Sequence, residues 1–207
     1  MLDFIHPIAQ EKLHQQVQHL APCRLRFSFL AAIPSVEQEC EKAISQIDIK
    51  LTSVAYSFMM GDFDTVIKEA REALSQTDYP QKYKNFFESY LMRSTVLTDP
   101  DLSRGELEGR LNELTITDPT LAEKTRKVCL ALYDLTIAHQ SNDYFEDLSN
   151  DFKYQQLEII YYQALNATLK SDQHRANDLF HKLISEDESL YIVRKAKQYL
   201  KDEGRHL

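Results

Sequence analysis

The stretch SVAYSFMMGDFDTVIKEAREAL, residues 53–74, decides how this chain folds. Before it, apolar residues recur every three or four positions from Val36 to Phe58, which is the period of a helical turn. Gly61 then interrupts the pattern, and glycine readily takes the left-handed conformation in which many helices end. The apolar residues that follow again share one helical stripe: Phe63, Val66, Ile67, Ala70, Ala73 and Leu74. Because so short a joint makes two helices antiparallel neighbours, the stretch predicts a helical hairpin.

A second signal, Thr-Asp followed closely by Pro, recurs further along the chain. It stands at VLTDPDL (96–102) and ITDPTL (116–121), and in a related form at QTDYPQK (76–82). The Asp side chain can accept hydrogen bonds from the first turn of a new helix, and Pro suits the first helical position. Pro also disfavours α geometry in the residue before it, which ends the preceding helix. The signal therefore predicts helix starts near Pro80, Pro100 and Pro119.

The remaining segments also show helical periodicity or helix-capping signals. The polar run SNDYFEDLSND, residues 141–151, lacks the ligand order of a calcium loop, so it predicts a capped turn with a short helix. Helices are predicted at about 152–170, 171–184 and 188–202. Within residues 1–33, PIAQEKLHQQVQHL predicts a helix, and CRLRFSFLAAI predicts either a helix or a strand, with helix favoured. We expect one continuous domain, in which an N-terminal helical segment, 1–33, packs on a helical domain, 34–207.

Composition narrows the functional classes. The chain has 207 residues, 43% hydrophobic and 27% charged, which is typical of a globular protein. Its net charge of −8 disfavours nucleic-acid binding through phosphates. No apolar run reaches the length of a membrane span, and the first residues do not resemble a signal peptide. Three scattered cysteines favour a reducing compartment. We therefore expect a cytoplasmic protein with no membrane and no nucleic-acid partner.

Two segments 110 residues apart share a longer pattern, GDFDTVIKEAREAL at 61–74 and SDQHRANDLFHKLI at 171–184. This pattern resembles the second half of a tetratricopeptide repeat (TPR). Gly61, Asp62 and Phe63 fit the family's turn, while Ala176 and Phe180 fit its small and aromatic packing positions. The resemblance covers about 48–78 and 157–188. It implies an all-α fold of stacked antiparallel helical hairpins, a TPR-like α-solenoid, because a single hairpin cannot bury its own apolar face.

The sequence departs from the TPR pattern at several positions. Val66 and Ala70 stand where the family prefers Ala and an aromatic residue. Ser171 replaces the family's Gly, and Glu188 replaces its Pro. A helical bundle without repeats is therefore the alternative architecture.

The TPR resemblance also implies a binding groove, lined by the first helix of each hairpin, for a protein or peptide partner. Counting back from the two turns places these residues in it: Asp48, Ala55, Phe58, Met59, Glu158, Tyr161 and Thr168. The alternative role for each of them is packing between hairpins. The Lys and Asn that clamp a terminal carboxylate in chaperone-binding members do not occur at these positions, which leaves an apolar and aromatic groove.

No motif of a catalytic or metal site occurs in the sequence. HExxH, Walker, G-x-G-x-x-G and G-x-S-x-G patterns are all absent. His174 and His181 lie two helical turns apart, too far to share a metal ion. We therefore expect neither an enzyme nor a metal nor a cofactor, but an interaction module with an adaptor, regulatory or chaperone role.

Two further expectations follow from the sequence. Self-association into a homodimer is expected wherever an end hairpin of the stack is uncapped, although the polar residues of YIVRKAKQYL (191–200) favour a capping helix. The alternative function is a small-ligand-responsive sensor or enzyme with its site between helices. Its support is YYQAL (161–165) together with the acidic stretch 143–151.

Overall fold

The computed structural model describes residues 34–148 and 153–202 of the chain. Within these ranges it contains eight α-helices, one 3-10 helix and no strand, which confirms the all-α class. The helices are α1 Pro34–Met60, α2 Phe63–Ser75, α3 Gln81–Thr98, α4 Arg104–Asn112, α5 Pro119–Thr136, the 3-10 turn Asp143–Phe145, α6 Lys153–Leu169, α7 Gln173–Ile184 and α8 Tyr191–Asp202. The expectation for residues 1–33 lies outside the described residues. No helix in the described ranges is long and apolar enough to cross a membrane.

The contacts divide the chain into two compact units, Met1–Ser53 and Val54–Leu207. The described part of the first unit is the beginning of α1, where Thr52 donates a side-chain hydrogen bond of 2.9 Å to the backbone oxygen of Asp48. Ile47 is buried in this segment, whereas Ile49 is 69% exposed. The remaining elements, from the end of α1 to α8, belong to the second unit.

The predicted turn at Gly61 is confirmed, and its geometry explains the glycine. Gly61 has φ 74°, its N–H bonds to Phe58 O at 3.0 Å, and the N–H of Asp62 reaches back to Ser57 O at 2.9 Å. This pair of bonds is the Schellman ending of a helix. Asp62 then caps α2, because its carboxylate accepts from Thr65 N at 3.3 Å. One residue therefore ends α1 and the next begins α2.

The turn between α6 and α7 repeats this geometry 110 residues later, with Ser171 in the place of Gly61. Ser171 has φ 62°, its N–H bonds to Thr168 O at 2.9 Å, and Asp172 N reaches Ala167 O at 2.9 Å. The carboxylate of Asp172 accepts from Arg175 N at 3.2 Å. The two segments that share a sequence pattern thus share a turn, a cap and a helix order.

The Thr-Asp-Pro signal predicted two of three helix starts. Asp118 caps α5 by accepting from Thr120 N at 2.9 Å and from Leu121 N at 3.1 Å, with Pro119 at the first helical position. The start near Pro80 is also confirmed, since α3 begins at Gln81, but no side chain caps it.

The predicted start near Pro100 is wrong. Asp99 is the C-cap of α3, and α4 begins four residues after Pro100, at Arg104. Ser103 and Glu106 form a capping box there: Glu106 N donates to Ser103 Oγ at 3.3 Å, and Ser103 N donates to Glu106 Oε2 at 3.0 Å. This reciprocal pair satisfies two backbone donors, whereas the side chain of Asp99 caps no helix.

Within the second unit, α3 packs on α2 and α5, α5 on α6, and α6 on α7. The last helix packs on α7 and α6 and also reaches the first turn, where Tyr191 contacts Gly61 and Arg194 Nη2 donates to Met60 O at 2.6 Å. Among the described residues, the largest fully buried side chains are Tyr162, Phe87, Phe180, Leu107, Leu132, Leu183, Ile192 and Leu200. Burying each of them stabilises the fold by about 1.5–3 kcal/mol relative to exposure.

The two left-handed turn residues generate a paired prediction. Gly61→Ala introduces a Cβ into a left-handed residue and brings it within 2.5 Å of the Tyr191 ring, so we expect destabilisation by about 2 kcal/mol or more. Ser171→Gly removes the steric cost of the same left-handed conformation. We expect net stabilisation by about 0.5–1 kcal/mol, once the entropy that glycine adds to the unfolded chain is subtracted. Urea unfolding monitored by circular dichroism measures both changes. Effects of the same sign would contradict the equivalence of the turns.

The two Thr-Asp-Pro copies form a second matched pair. Asp118→Ala removes the cap of α5, and we expect a loss of about 1 kcal/mol in the free energy of unfolding. Asp99→Ala, in the identical tripeptide, removes no helix-capping side chain, and we expect a change within about 0.5 kcal/mol. Thermal or urea unfolding of the two variants checks this difference. Equal losses in the free energy of unfolding would show that the tripeptide stabilises the protein equally at both positions, whether or not its Asp caps a helix.

Candidate functional site

An ion pair lies inside the second unit, between two helices that are not neighbours in the chain. The guanidinium of Arg93 on α3 bonds to the carboxylate of Glu158 on α6, and their side chains are only 19% and 11% exposed. The guanidinium carbon of Arg93 also lies 4.5 Å from the centre of the Phe58 ring, at the end of α1. Side chains from three helices therefore contact one another at the Arg93 cation, in an interior where an unpaired charge would be costly.

Tyrosines surround this ion pair. Tyr90 lies one turn before Arg93 on α3, and its ring centre is 5.4 Å from that of Phe58. Tyr154 and Tyr162 lie one turn before and one turn after Glu158 on α6. From α8, Tyr191 approaches the same region and packs edge-on against Phe63 at 5.0 Å. The half-buried members of the group are Tyr90, Arg93, Tyr154 and Tyr191, which we call the tyrosine surface.

Hydrogen bonding within the tyrosine surface is incomplete. Within residues 34–148 and 153–202, the hydroxyls of Tyr90, Tyr154 and Tyr191 have no hydrogen-bond partner. The Nε of Arg93 is buried and also lacks a partner. The surface thus offers aromatic faces and hydrogen-bond donors together, while its one carboxylate is already occupied by Arg93.

The pKa values of this cluster follow from burial and from the ion pair. Burial opposes the charged form of Arg93, but the carboxylate of Glu158, together with Tyr90 and Tyr162, outweighs burial and raises the pKa of Arg93. Burial raises the pKa of Tyr90, and Arg93 partly offsets this effect. Burial likewise places the pKa values of Tyr154 and Tyr162 well above the ordinary tyrosine value, with a further contribution from Glu158. The tyrosines are therefore neutral donors at physiological pH.

A buried thiol adjoins the cluster. Cys129 on α5 is fully buried, and its burial raises the pKa of the thiol to about 12. Arg93 is close enough to lower that pKa in part. The raised pKa keeps the sulfur protonated, so Cys129 packs as a small apolar side chain rather than acting as a nucleophile.

The residues predicted to line a groove fall into two groups. Phe58, Glu158 and Tyr161 are buried, so in this structure they pack between helices and present little surface to a partner. The others are half-buried: Asp48, Ala55, Met59 and Thr168. Thr168 is engaged by α8, since its hydroxyl lies 3.2 Å from that of Tyr199.

On α1, Ala55 and Met59 lie one turn apart on one face, and Phe58 borders that face, one turn after Ala55. This face adjoins the tyrosine surface, because Phe58 contacts both Tyr90 and Arg93. The structure thus brings the predicted positions of α1 and α6 together through an arginine on α3.

Sequence reasoning missed Tyr90 and Arg93. Both lie on α3, which has no counterpart in the two segments that resemble a TPR. The available signal was the position of Arg93 in YLMRSTVL, residues 90–97, as the one charged residue of an otherwise uncharged helical run. Such a cation within an apolar helix needs a partner, and Glu158, 65 residues later, supplies it.

The acidic stretch lies against α6, as the alternative function requires, but two of its carboxylates, those of Asp143 and Glu146, are paired. Asn166, which is buried, donates to Asp143 Oδ1 at 3.0 Å and to Glu146 Oε1 at 2.5 Å. Lys170 bonds to Asp143, and Arg175 bonds to Glu146. Lys170 and Asn166 hold the pKa of Asp143 below its usual value. The described part of this stretch, residues 141–148, therefore has a structural role in fixing the capped turn.

No cluster of three or more His, Cys, Asp or Glu side chains suited to a metal ion occurs in the described parts of the chain. Comparison of the chain with protein-family models, with curated proteins and with solved structures finds no match.

The Arg93–Glu158 pair generates a third prediction. Arg93→Met or Glu158→Met alone leaves one buried charge without its partner, and we expect each to destabilise the protein by about 3–5 kcal/mol. The double variant removes both charges and restores apolar packing, so we expect a smaller loss than either single change. A double-mutant cycle from urea unfolding measures the coupling. Additive losses in the double variant would show that the two side chains do not interact.

Proposed function

We propose that this protein is a TPR-like interaction module that binds a segment of another protein. The observation that carries the proposal is the repeated unit at Gly61 and Ser171, in which sequence pattern, left-handed turn and Asp cap all coincide. Repeated hairpins that stack side by side form extended surfaces suited to peptide or helix binding. One feature departs from an open solenoid: α8 contacts the first turn, whereas distant repeats of an open stack do not touch.

The proposed binding region is the exposed part of the α1 face together with the tyrosine surface. Tyrosine and arginine are enriched among residues that dominate the energy of protein interfaces. Ala55 and Met59 add half-buried apolar area beside them. The pairing of Asp143 and Glu146 in the acidic stretch, and a thiol held neutral by burial, support binding rather than catalysis. We further propose a cytoplasmic location, on the ground that the cysteines are scattered and Cys129 is a free thiol.

Site-specific photo-cross-linking in the native cell tests this function. A photoreactive residue at Met59 or at Tyr154 should give a discrete adduct with a protein partner, and unlabelled wild-type protein should compete for it. The control position is Lys68, which is exposed on α2. Equal cross-linking at Lys68, or no discrete adduct at Met59 and Tyr154, would contradict the proposal.

The second candidate function is a sensor for a small ligand held between helices. The observation that favours it is the half-buried tyrosine surface around Arg93, where donors without partners lie beside aromatic rings. A thermal-shift screen separates the two functions, because a ligand present at a hundredfold its Kd adds about 2.7 kcal/mol to the stability. A metabolite that stabilises the protein strongly, with no cross-linked partner, would favour the sensor.

A further inference from the structure

The chemistry of the tyrosine surface narrows the class of partner. Three half-buried tyrosines, from α3, α6 and α8, lie in this surface, and their hydroxyls are unpaired within the described residues. The ammonium of Lys195 lies 5.7 Å from the centre of the Tyr191 ring. The neighbouring carboxylate of Glu158 is engaged by Arg93. A partner segment placed here therefore meets hydrogen-bond donors and aromatic rings, together with one ammonium beside Tyr191.

A proline-rich segment matches this combination. In the polyproline II conformation the backbone makes no internal hydrogen bonds, so all its carbonyls are free to accept. Proline has no N–H, so such a segment brings no backbone donor that needs an acceptor. Its proline rings pack on aromatic faces. Its conformation is already ordered before binding, which reduces the conformational entropy lost on binding.

Other segments fit less well. The carbonyls of a partner helix are largely used within the helix and cannot accept from the tyrosines. An acidic segment would need a cluster of unpaired cations, whereas Arg93 is neutralised by Glu158 and Lys195 places a single ammonium beside Tyr191. An extended strand needs the edge of a sheet, and residues 34–148 and 153–202 form none.

We propose that the tyrosine surface binds a proline-rich segment of a partner protein in the polyproline II conformation, with the hydroxyls of Tyr90, Tyr154 and Tyr191 donating to its carbonyls. This inference rests on the interaction function proposed above and names the class of its partner.

Fluorescence anisotropy with a labelled decaproline peptide and the full chain tests the proposal. We expect saturable binding of decaproline and much weaker binding of a Gly-Ser peptide of the same length. Tyr90→Phe, Tyr154→Phe and Tyr191→Phe keep the rings and remove one donor each, so each should weaken binding about 2- to 10-fold. Unfolding curves that match the wild type would show that the fold is intact.

Tyr56→Phe is the matched control. Tyr56 is 60% exposed and lies two residues before Phe58, about 200° away around α1, so the change should leave binding unaltered. The proposal is overturned by any of three results: decaproline fails to saturate the protein, the Gly-Ser peptide or an amphipathic helical peptide binds better, or the three variants bind like the wild type. If cross-linking at Met59 or Tyr154 still yields a protein adduct, the interaction function stands and only the proline-rich partner is lost.

Discussion

A single left-handed residue at the end of a helix is the constraint on which the arrangement of this chain depends. At Gly61 and again at Ser171, the Schellman bonds end one helix, and the Asp that follows caps the next. The chain reverses within two residues at both turns, and beyond the second turn α7 packs on α6. At the first turn there is also no room for a side chain, because the Tyr191 ring fills that space. The glycine therefore serves both the turn and the docking of α8.

The interior of the second unit combines this helical packing with one charged interaction. Arg93 joins α3 to α6 through Glu158 and lies on the Phe58 ring, so it fixes the relation of helices that local sequence does not connect. A buried ion pair adds little net stability compared with apolar packing, but separating its members is costly. The pair thus favours one register of α3 against α6 over others. The surrounding tyrosines are held in place by that register.

Local chemistry explains how much of this fold could be predicted. The hairpin at Gly61 and the cap at Asp118 depend on neighbouring residues alone, and sequence reasoning found both. The start of α4 was misplaced because two local signals compete there: Pro100 suits a helix start, but the reciprocal bonds of Ser103 and Glu106 are better satisfied. The site around Arg93 could not be predicted in the same way, because its partners are separated by 65 residues and meet only through tertiary packing.

The burial of predicted groove residues has a consequence for how a helical stack presents a binding surface. Phe58, Glu158 and Tyr161 are buried inside the unit, and the more accessible residues beside them include Tyr90, which packs on Phe58, and Tyr154, one turn before Glu158. Half-buried tyrosines lose little conformational freedom on binding, because packing already holds their rings. Their hydroxyls stay neutral because burial raises their pKa values. In the interaction that we propose, this donor-rich aromatic surface would select its partner by the accessibility of backbone carbonyls rather than by charge, because Arg93 is already paired with Glu158.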